Sequence, residues 1–115
     1  MHAIDVLGDP VRRRILELLA TEGEQPAGSL TDVVRREFGI SQPAVSTHLR
    51  VLRESGFAAV RPDGRRRLYA LQTEPLEQVD EWLAPFRTFW DQPMDALATE
   101  VARGTRTRGG PAAER

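Results

Sequence analysis

The stretch SQPAVSTHLRVLRESG, from Ser41 to Gly56, carries apolar side chains at helical spacing. Val45, Leu49 and Leu52 repeat at i, i+4 and i+7, which predicts one helix with a single buried stripe. Ser41 suits the N-cap, and Gly56 suits the left-handed residue that ends a helix. The other side chains include amides, hydroxyls and arginines, which contact base edges and phosphates in nucleic acids: Gln42, Ser46, Thr47, Arg50 and Arg53.

A short apolar helical segment, Ala3–Leu7, is predicted near the N-terminus, and two longer helices are predicted between it and Ser41. The first has Asp9 as its N-cap and runs to about Ala20, with Arg12–Arg14 on its outer face. We interpret these arginines as solvated charge, and a phosphate contact by one of them is the alternative. The second helix covers about residues 29–38, and Gly39 allows a tight turn into the next helix. A helix, a short turn and a polar-faced helix form the order of a helix-turn-helix motif.

After Gly56 the apolar spacing changes from helical to alternating. The segments FAAVR and RRLYAL flank Pro62-Asp63-Gly64, which predicts a β-hairpin. Because arginines cluster at its tip, we interpret the hairpin as a wing that contacts the DNA backbone or the minor groove. The alternative is an ordinary hairpin whose exposed edge is protected by charge. The wing residues assigned to DNA contact are Arg65, Arg66 and Arg67.

A long apolar seam follows the hairpin, with steps of three and four residues that are close to a heptad repeat. The seam is too apolar for water, so we expect it to pack on a second copy of the chain, together with the N-terminal helix. The alternative is packing only on residues 1–20 of the same chain. Pro85 and Pro93 are expected to kink or divide this helix. The residues assigned to the dimer interface are Ile4, Leu7, Leu76, Val79, Leu83, Phe86, Trp90, Met94 and Leu97.

These patterns predict a mainly α-helical fold with a small β-hairpin, a winged helix-turn-helix that forms a dimer through its terminal helices. The winged domain covers residues 1–72, the dimerisation helix covers 73–102, and 103–115 form a disordered arginine-rich tail. The 115 residues contain no cysteine and no apolar run near membrane-spanning length. We therefore expect a cytoplasmic protein with no membrane partner.

The net charge of −1 is unusual for a nucleic-acid-binding protein, for which a basic domain is expected. The charges are segregated, however. Residues 41–70 hold 6 arginines and 2 acids, a net charge of +4, whereas residues 71–101 hold 1 arginine and 7 acids, a net charge of −6. A molecule polarised in this way presents a positive face to DNA while its acidic end points away.

These segments resemble the ArsR/SmtB family of bacterial winged-helix repressors. The resemblance rests on LGDPVRRRILELLA, GISQPAVSTHLRVLRESGF and RPDGRRRLYAL and covers about residues 3–72. It implies a homodimer that binds an imperfect inverted repeat in promoter DNA, and an inducer that lowers DNA affinity. Carried over to this sequence, the resemblance assigns the major groove or its phosphates to Ser41, Gln42, Pro43, Ser46, Thr47, His48 and Arg50, and wing contacts to Arg65–Arg67.

The sequence departs from the metal-sensing members of that family. Where those proteins carry a cysteine pair, this chain has Ser29-Leu30-Thr31-Asp32-Val33, and hydroxyls are poor ligands for soft metals. Other members bind zinc through histidines and carboxylates of the last helix, which here contains no histidine; the histidines are His2 and His48. We therefore expect no metal site and no cofactor, and the sequence identifies no inducer.

The sequence thus predicts a sequence-specific transcriptional regulator, a homodimeric repressor of an inverted-repeat operator that also allows autorepression. An enzyme is not expected, because no phosphate-binding glycine loop and no Ser/His/Asp arrangement stands out. Two alternatives stay open at this point. One is a winged-helix module that binds another protein, and the other is a protein that binds DNA without sequence preference.

Overall fold

The computed structural model describes residues 2–91, which form five helices and three strands. By chain contacts the protein divides into two compact units, Met1–Asp80 and Glu81–Arg115. The order of elements is α1 (Ala3–Val6), α2 (Pro10–Glu22), β1 (Gln25–Pro26), α3 (Ala27–Phe38), α4 (Gln42–Glu54), β2 (Ala58–Asp63), β3 (Arg66–Leu71) and α5 (Glu74–Arg87).

The starts of α2 and α4 follow the capping rules that the sequence indicated. The Asp9 carboxylate accepts hydrogen bonds from the backbone N–H of Val11, at 2.8 Å, and of Arg12, at 3.2 Å. At α4, the Ser41 hydroxyl accepts from the N–H of Ala44 at 3.3 Å. Each cap satisfies donors that a helix leaves free at its first turn. The predicted N-caps of these two helices are therefore confirmed.

The turn between α3 and α4 depends on a glycine in a left-handed conformation. Gly39 has φ of +67°, and its N–H donates to the carbonyl of Arg35 at 2.9 Å. A residue with a Cβ is strained at this φ, so glycine allows α3 to stop and α4 to begin after two further residues. The predicted short turn of the helix-turn-helix is confirmed.

The wing belongs to a three-stranded antiparallel sheet with the order β1-β3-β2. In the hairpin, Ala58 pairs with Leu71 at one end and Asp63 pairs with Arg66 at the tip. The third strand, β1, was not predicted: Gln25, which pairs with Tyr69, lies between the two helices that the sequence predicted, where no element was expected. A two-residue strand containing a proline has no alternation that a sequence pattern can show.

One apolar core joins the helices and the wing. Phe57 is fully buried where α4 leads into β2, its N–H donates to the carbonyl of Leu52, and its carbonyl accepts from the N–H of Gln72. This residue therefore fixes the wing relative to α4, the second helix of the helix-turn-helix and its expected recognition helix. The other core residues that are at least nine-tenths buried are Ala3, Val6, Val11, Ile15, Leu16, Leu18, Leu19, Leu30, Val34, Val45, Leu49, Leu52, Ala58, Leu68 and Tyr69.

The three arginines of α2 were interpreted as solvated charge, but each binds a specific partner. Arg12 donates through Nε to the carbonyl of Val6 at 2.8 Å and through Nη2 to the carbonyl of Asp5 at 3.3 Å. Arg13 donates to the carbonyl of Leu7 at 2.7 Å. These bonds reach carbonyls at the end of α1 and at Leu7, its C-cap, where a helix leaves its last C=O groups without intrahelical partners.

The third arginine connects α2 to α3. Arg14 Nε and Nη2 donate to the two carboxylate oxygens of Glu37 at 2.9 and 3.1 Å. This bidentate bond lowers the pKa of Glu37 and raises that of Arg14. The pair therefore links the first helix of the core to the helix that precedes the recognition helix.

Helix α5 ends at Arg87, two residues after Pro85. A proline inside a helix removes one N–H donor and crowds the preceding turn, which is consistent with an end at this point. Pro93 lies outside the described residues. Among the predicted interface positions, Leu7, Leu76 and Val79 are partly buried and pack against the core of the same chain.

Candidate nucleic-acid interface

Helix α4 presents a polar face to solvent because its apolar stripe is buried. Val45 and Leu52 have no exposed surface, and Leu49 is nearly as buried. This orientation leaves exposed most of the α4 side chains that the sequence assigned to DNA, together with the N-cap: Ser41, Gln42, Pro43, Ser46, Thr47, Arg50 and Arg53.

The hydroxyl of Thr47 is partly engaged within its own helix. Its Oγ1 donates to the carbonyl of Pro43 at 3.1 Å. Because the hydroxyl hydrogen is used in this bond, what Thr47 can offer a base is an oxygen lone pair and a methyl group. An acceptor suits an exposed amino group of a base, and a methyl group suits the methyl of thymine.

A groove of about 530 Å³ runs beside this face, and we refer to it as the arginine groove. It brings together the exposed face of α4, two residues of the wing strand β3 and one face of α3. Its polar and charged lining residues are Thr31, Asp32, Arg35, Gln42, Ser46, Thr47, Arg50, Arg53, Arg67 and Tyr69. Four guanidinium groups against one carboxylate give the groove a positive charge, which attracts an anionic backbone.

Helix α3 contributes to this groove residues that the sequence analysis did not assign to a site. Thr31, Asp32 and Arg35 line it opposite the recognition helix. Their spacing, i, i+1 and i+4, places them on adjoining faces of α3. Only the packing of α3 against α4 shows that they share a surface with Arg50, so no signal in the sequence alone identified them.

The arginines of the groove differ in how strongly they are engaged. Arg35 Nε donates to the carbonyl of Ile40 at 3.2 Å, and Arg53 Nη2 lies 4.0 Å from the carboxylate of Glu54. Within residues 2–91, Arg50 and Arg67 make no side-chain hydrogen bond or ion pair. These two guanidinium groups are therefore available to a phosphate or a base without breaking an existing bond.

The wing arginines line a second cleft, of about 590 Å³, against the first turn of α3. This cleft is lined by Arg65, Arg66 and Arg67 together with Pro26, Ala27, Gly28, Ser29 and Asp32. The structure therefore brings all three predicted wing residues to one surface, and Arg67 lines both the cleft and the arginine groove.

Two carboxylates hold arginines of the wing. Glu24 accepts a bidentate hydrogen bond from Arg61 at 2.8 and 2.9 Å, and Asp63 accepts from Arg66 at 2.5 Å. The hydrogen bond from its arginine lowers the pKa of each carboxyl group. Both pairs are exposed, so their free energy is small in water and an incoming phosphate can compete for the arginine.

His48 is the predicted DNA-contacting residue that faces the interior of the domain. Its Nδ1 lies 3.4 Å from Arg12 Nη1 and 3.9 Å from Asp9 Oδ1, and its side chain is 18% exposed. The structure thus places His48 beside the start of α2 and outside the lining of the arginine groove. His48 precedes Leu49 and follows Val45 by three residues. It therefore lies at the edge of the buried stripe, which accounts for this packing.

The predicted dimer residues lie in both units. In the second unit, Leu83 is partly buried, whereas large aromatic side chains are exposed, Trp82 by 50% and Phe89 by 77%. The rings of Trp82 and Phe86 lie 4.7 Å apart between centroids, at an interplanar angle of 40°. Phe86 and Trp90 are also exposed. Ile4 is partly buried in α1, and Met94 and Leu97 lie outside the described residues.

Comparison with known proteins agrees with this arrangement. Residues 7–61 match the family model of a helix-turn-helix domain. The chain is 32% identical over 85 residues to the transcriptional repressor SdpR of Bacillus subtilis (strain 168), a match covering 74% of this chain and 89% of the relative. A crystal structure of an ArsR family transcriptional regulator matches with a TM-score of 0.64 at 29% identity, covering 77% of this chain and 87% of that one.

A second solved structure is more similar in sequence. It is the crystal structure of a possible transcriptional regulator for arsenical resistance, 38% identical, with a TM-score of 0.62, and the match covers 87% of this chain and 96% of that one. The chain belongs to the ArsR family. As an ArsR protein it is a DNA-binding transcriptional regulator and not an enzyme. The resemblance stated from the sequence and the winged helix-turn-helix fold are both confirmed.

The segment Ser29–Val33, where the sequence has no cysteine, lies in α3, and its Thr31 lines the arginine groove. Within residues 2–91, no three histidine or carboxylate side chains lie close enough together to hold a metal ion. In the same part of the chain, no helix is both long and apolar enough to cross a membrane.

Proposed function

We propose that this ArsR protein is a homodimeric repressor that binds an inverted-repeat operator through α4 and the wing. The observation that carries the proposal is the arginine groove, where amide and hydroxyl side chains adjoin four arginines on one surface. Phosphate contacts position a protein on DNA, and base contacts provide sequence preference. The groove offers both kinds of group. Promoter DNA as the target also implies a cytoplasmic protein.

The roles within the site follow from position and chemistry. Gln42, in the first turn of α4, is assigned to a base edge, since the N-terminal residues of a recognition helix reach the bases. Arg50 is assigned to a guanine or a phosphate, because it is exposed and makes no side-chain bond within residues 2–91. Arg65 and Arg67 are assigned to the DNA backbone beside the wing.

The dimer is supported by the aromatic side chains of the second unit. Trp82, Phe86, Phe89 and Trp90 are each at least 40% exposed, and so many large apolar groups close together in sequence are typical of an interaction surface. A two-fold dimer would place two recognition helices in successive major grooves, about 34–36 Å apart, which matches an inverted repeat.

The operator is tested by selecting fragments of the host genome with the purified protein at about 0.15 M salt, a concentration at which screening leaves specific contacts dominant. Enrichment of one inverted repeat, above all upstream of the protein's own gene, is the expected result. Capture of every fragment would support sequence-independent binding. Capture of none would support the alternative of a protein-interaction module.

The assignment of Arg50 is tested on the selected operator. Arg50→Ala is expected to weaken binding by about 1–3 kcal/mol, the usual value of one such contact. Arg36→Ala is the matched control, because it removes the same charge from an exposed position of α3 that does not line the arginine groove. Equal affinities of the two variants would remove Arg50 from the site.

The dimer is tested by sedimentation equilibrium at micromolar concentration, given a monomer mass of 12.9 kDa. Twice that mass is expected for the wild type. Phe86→Asp is expected to shift the protein towards monomer, because a charge at an apolar interface is costly. Gln78→Asp adds the same charge at an exposed position of α5 and should leave the mass unchanged. A monomeric wild type would exclude the proposed dimer.

A further inference from the structure

The tip of the wing contains a carboxylate among arginines. Asp63 ends β2 and Arg66 begins β3, and the two residues are directly paired across the hairpin. Between them lie Gly64, with φ of +63°, and Arg65, which form the two-residue turn. The Asp63–Arg66 pair therefore closes the hairpin at the tip of the wing.

The three arginines of the tip are not equally free to bind phosphate. Within residues 2–91, Arg65 and Arg67 make no side-chain hydrogen bond or ion pair. Arg66 donates through Nη2 to the carboxylate of Asp63. Both side chains of this pair are largely exposed, 59% for Arg66 and 45% for Asp63, so neither is buried by the rest of the fold.

We infer that Asp63 is an internal competitor for DNA phosphate, which occupies Arg66 and so weakens the binding of the wing to DNA of any sequence. A carboxylate and a phosphate are both oxygen anions that accept hydrogen bonds from a guanidinium group. When DNA approaches, Arg66 must exchange one for the other. The exchange leaves the charge of Asp63 beside the phosphates, where it is repelled.

This role differs from that of Glu24, the other carboxylate that binds a wing arginine. Glu24 lies between α2 and β1 and holds Arg61, which stands in β2 two residues before Asp63. Neither residue of that pair lines the arginine groove or the wing cleft, whereas Arg66 lines the cleft. Competition with a phosphate bound in the wing cleft is therefore assigned to Asp63, whose partner Arg66 lines that cleft.

The inference rests on the proposed DNA binding, but its test does not require the operator. Binding to a labelled duplex of random sequence is measured by fluorescence anisotropy at several salt concentrations. Asp63→Asn keeps the shape of the side chain and suits a turn, so the fold is retained. We expect this variant to bind about 3- to 10-fold more tightly, with a salt slope steeper by up to about 0.9 for each protomer.

Two further variants separate the mechanism from a simple change of net charge. Glu17→Gln removes one negative charge from an exposed position of α2 and is expected to bind like the wild type. Arg66→Ala is expected to weaken binding more in the Asp63→Asn background than in the wild type, because only there is Arg66 fully available to phosphate. An equal loss in both backgrounds would overturn the inference, since Asp63 would then act independently of Arg66.

The outcomes distinguish this inference from the proposed function. If the wild type binds DNA normally and Asp63→Asn has the same affinity and salt slope, the inference fails and the proposed function stands. If the wild type binds neither random nor genomic DNA, both fail together. Tighter binding by Asp63→Asn with an unchanged Glu17→Gln variant supports the inference.

Discussion

The salt dependence of DNA binding follows from how many arginines of the interface are free. Within residues 2–91, Arg50, Arg65 and Arg67 make no side-chain hydrogen bond or ion pair, and all three are exposed. If each neutralises one phosphate, the logarithm of the binding constant should fall against the logarithm of salt concentration with a slope of about −2.7 for one protomer and −5.4 for the dimer.

These slopes correspond to large changes in affinity. Raising the salt concentration fourfold, from about 0.05 to 0.2 M, should weaken binding by the dimer about 2,000-fold and binding by a monomer about 40-fold. Arg67→Ala should reduce the slope for the dimer to about −3.6, so that the same change of salt weakens binding about 150-fold. Arg36→Ala, outside the arginine groove, should keep the wild-type slope.

Fluorescence anisotropy of a labelled duplex at four salt concentrations measures these slopes. A duplex of random sequence is sufficient, because the phosphate contribution does not depend on base sequence. A wild-type slope shallower than about −2, or an Arg67→Ala variant with the wild-type slope, would refute the assignment of the unpaired arginines to phosphates.

Three further changes test the fold that supports the interface. Phe57→Ala should lower the free energy of unfolding by about 3–5 kcal/mol in urea titration, because the side chain is fully buried; a loss below about 1 kcal/mol would contradict its place in the core. Gly39→Ala should lower the free energy of unfolding by about 1–2 kcal/mol because its φ is +67°, and no clash adds to this because the new Cβ meets no atom within 4 Å. Gly28→Ala is the control: its Cβ also meets no atom within 4 Å, but Gly28 is helical, so no destabilisation is expected. The bond from Arg14 lowers the folded-state pKa of Glu37, so this pair stabilises the fold above the unfolded pKa and the effect is lost as pH falls through the folded one. The stability difference between wild type and Glu37→Gln should therefore be full at neutral pH, begin to fall near the unfolded pKa of about 4.3, and be lost once the pH lies below the lowered folded-state pKa; a difference that persists in strong acid would contradict this.

The parts of the fold that depend on contacts between residues close together in the chain could be predicted from the sequence. Asp9 and Ser41 cap their helices through contacts two or three residues away, and the wing turn at Gly64 and Arg65 includes the glycine of the predicted Pro62-Asp63-Gly64 signal. Such contacts leave a signature in a short segment. The start of α3 at Ala27, two residues earlier than expected, has no side-chain cap hydrogen bond and left no such signature.

The parts of the fold that depend on contacts between residues far apart in the chain could not be predicted from the sequence. β1 exists because Gln25 pairs with Tyr69, and the groove includes Arg35 because α3 packs beside α4. Periodicity placed the exposed face of α4 correctly, since the buried stripe determines that face. It could not show that His48, at the edge of the stripe, lies beside Arg12, so a DNA contact by His48 stays a prediction.

The guanidinium group of Arg12, in α2, contacts both α1 and α4. One planar group bonds the carbonyls of Asp5 and Val6 through two of its nitrogens and lies against His48 of the recognition helix through the third. A lysine has a single nitrogen on a flexible stem and cannot hold this geometry. One side chain of α2 therefore ties the end of α1 to the inward-facing side of α4, so the position of the first helix and that of α4 are fixed by the same group.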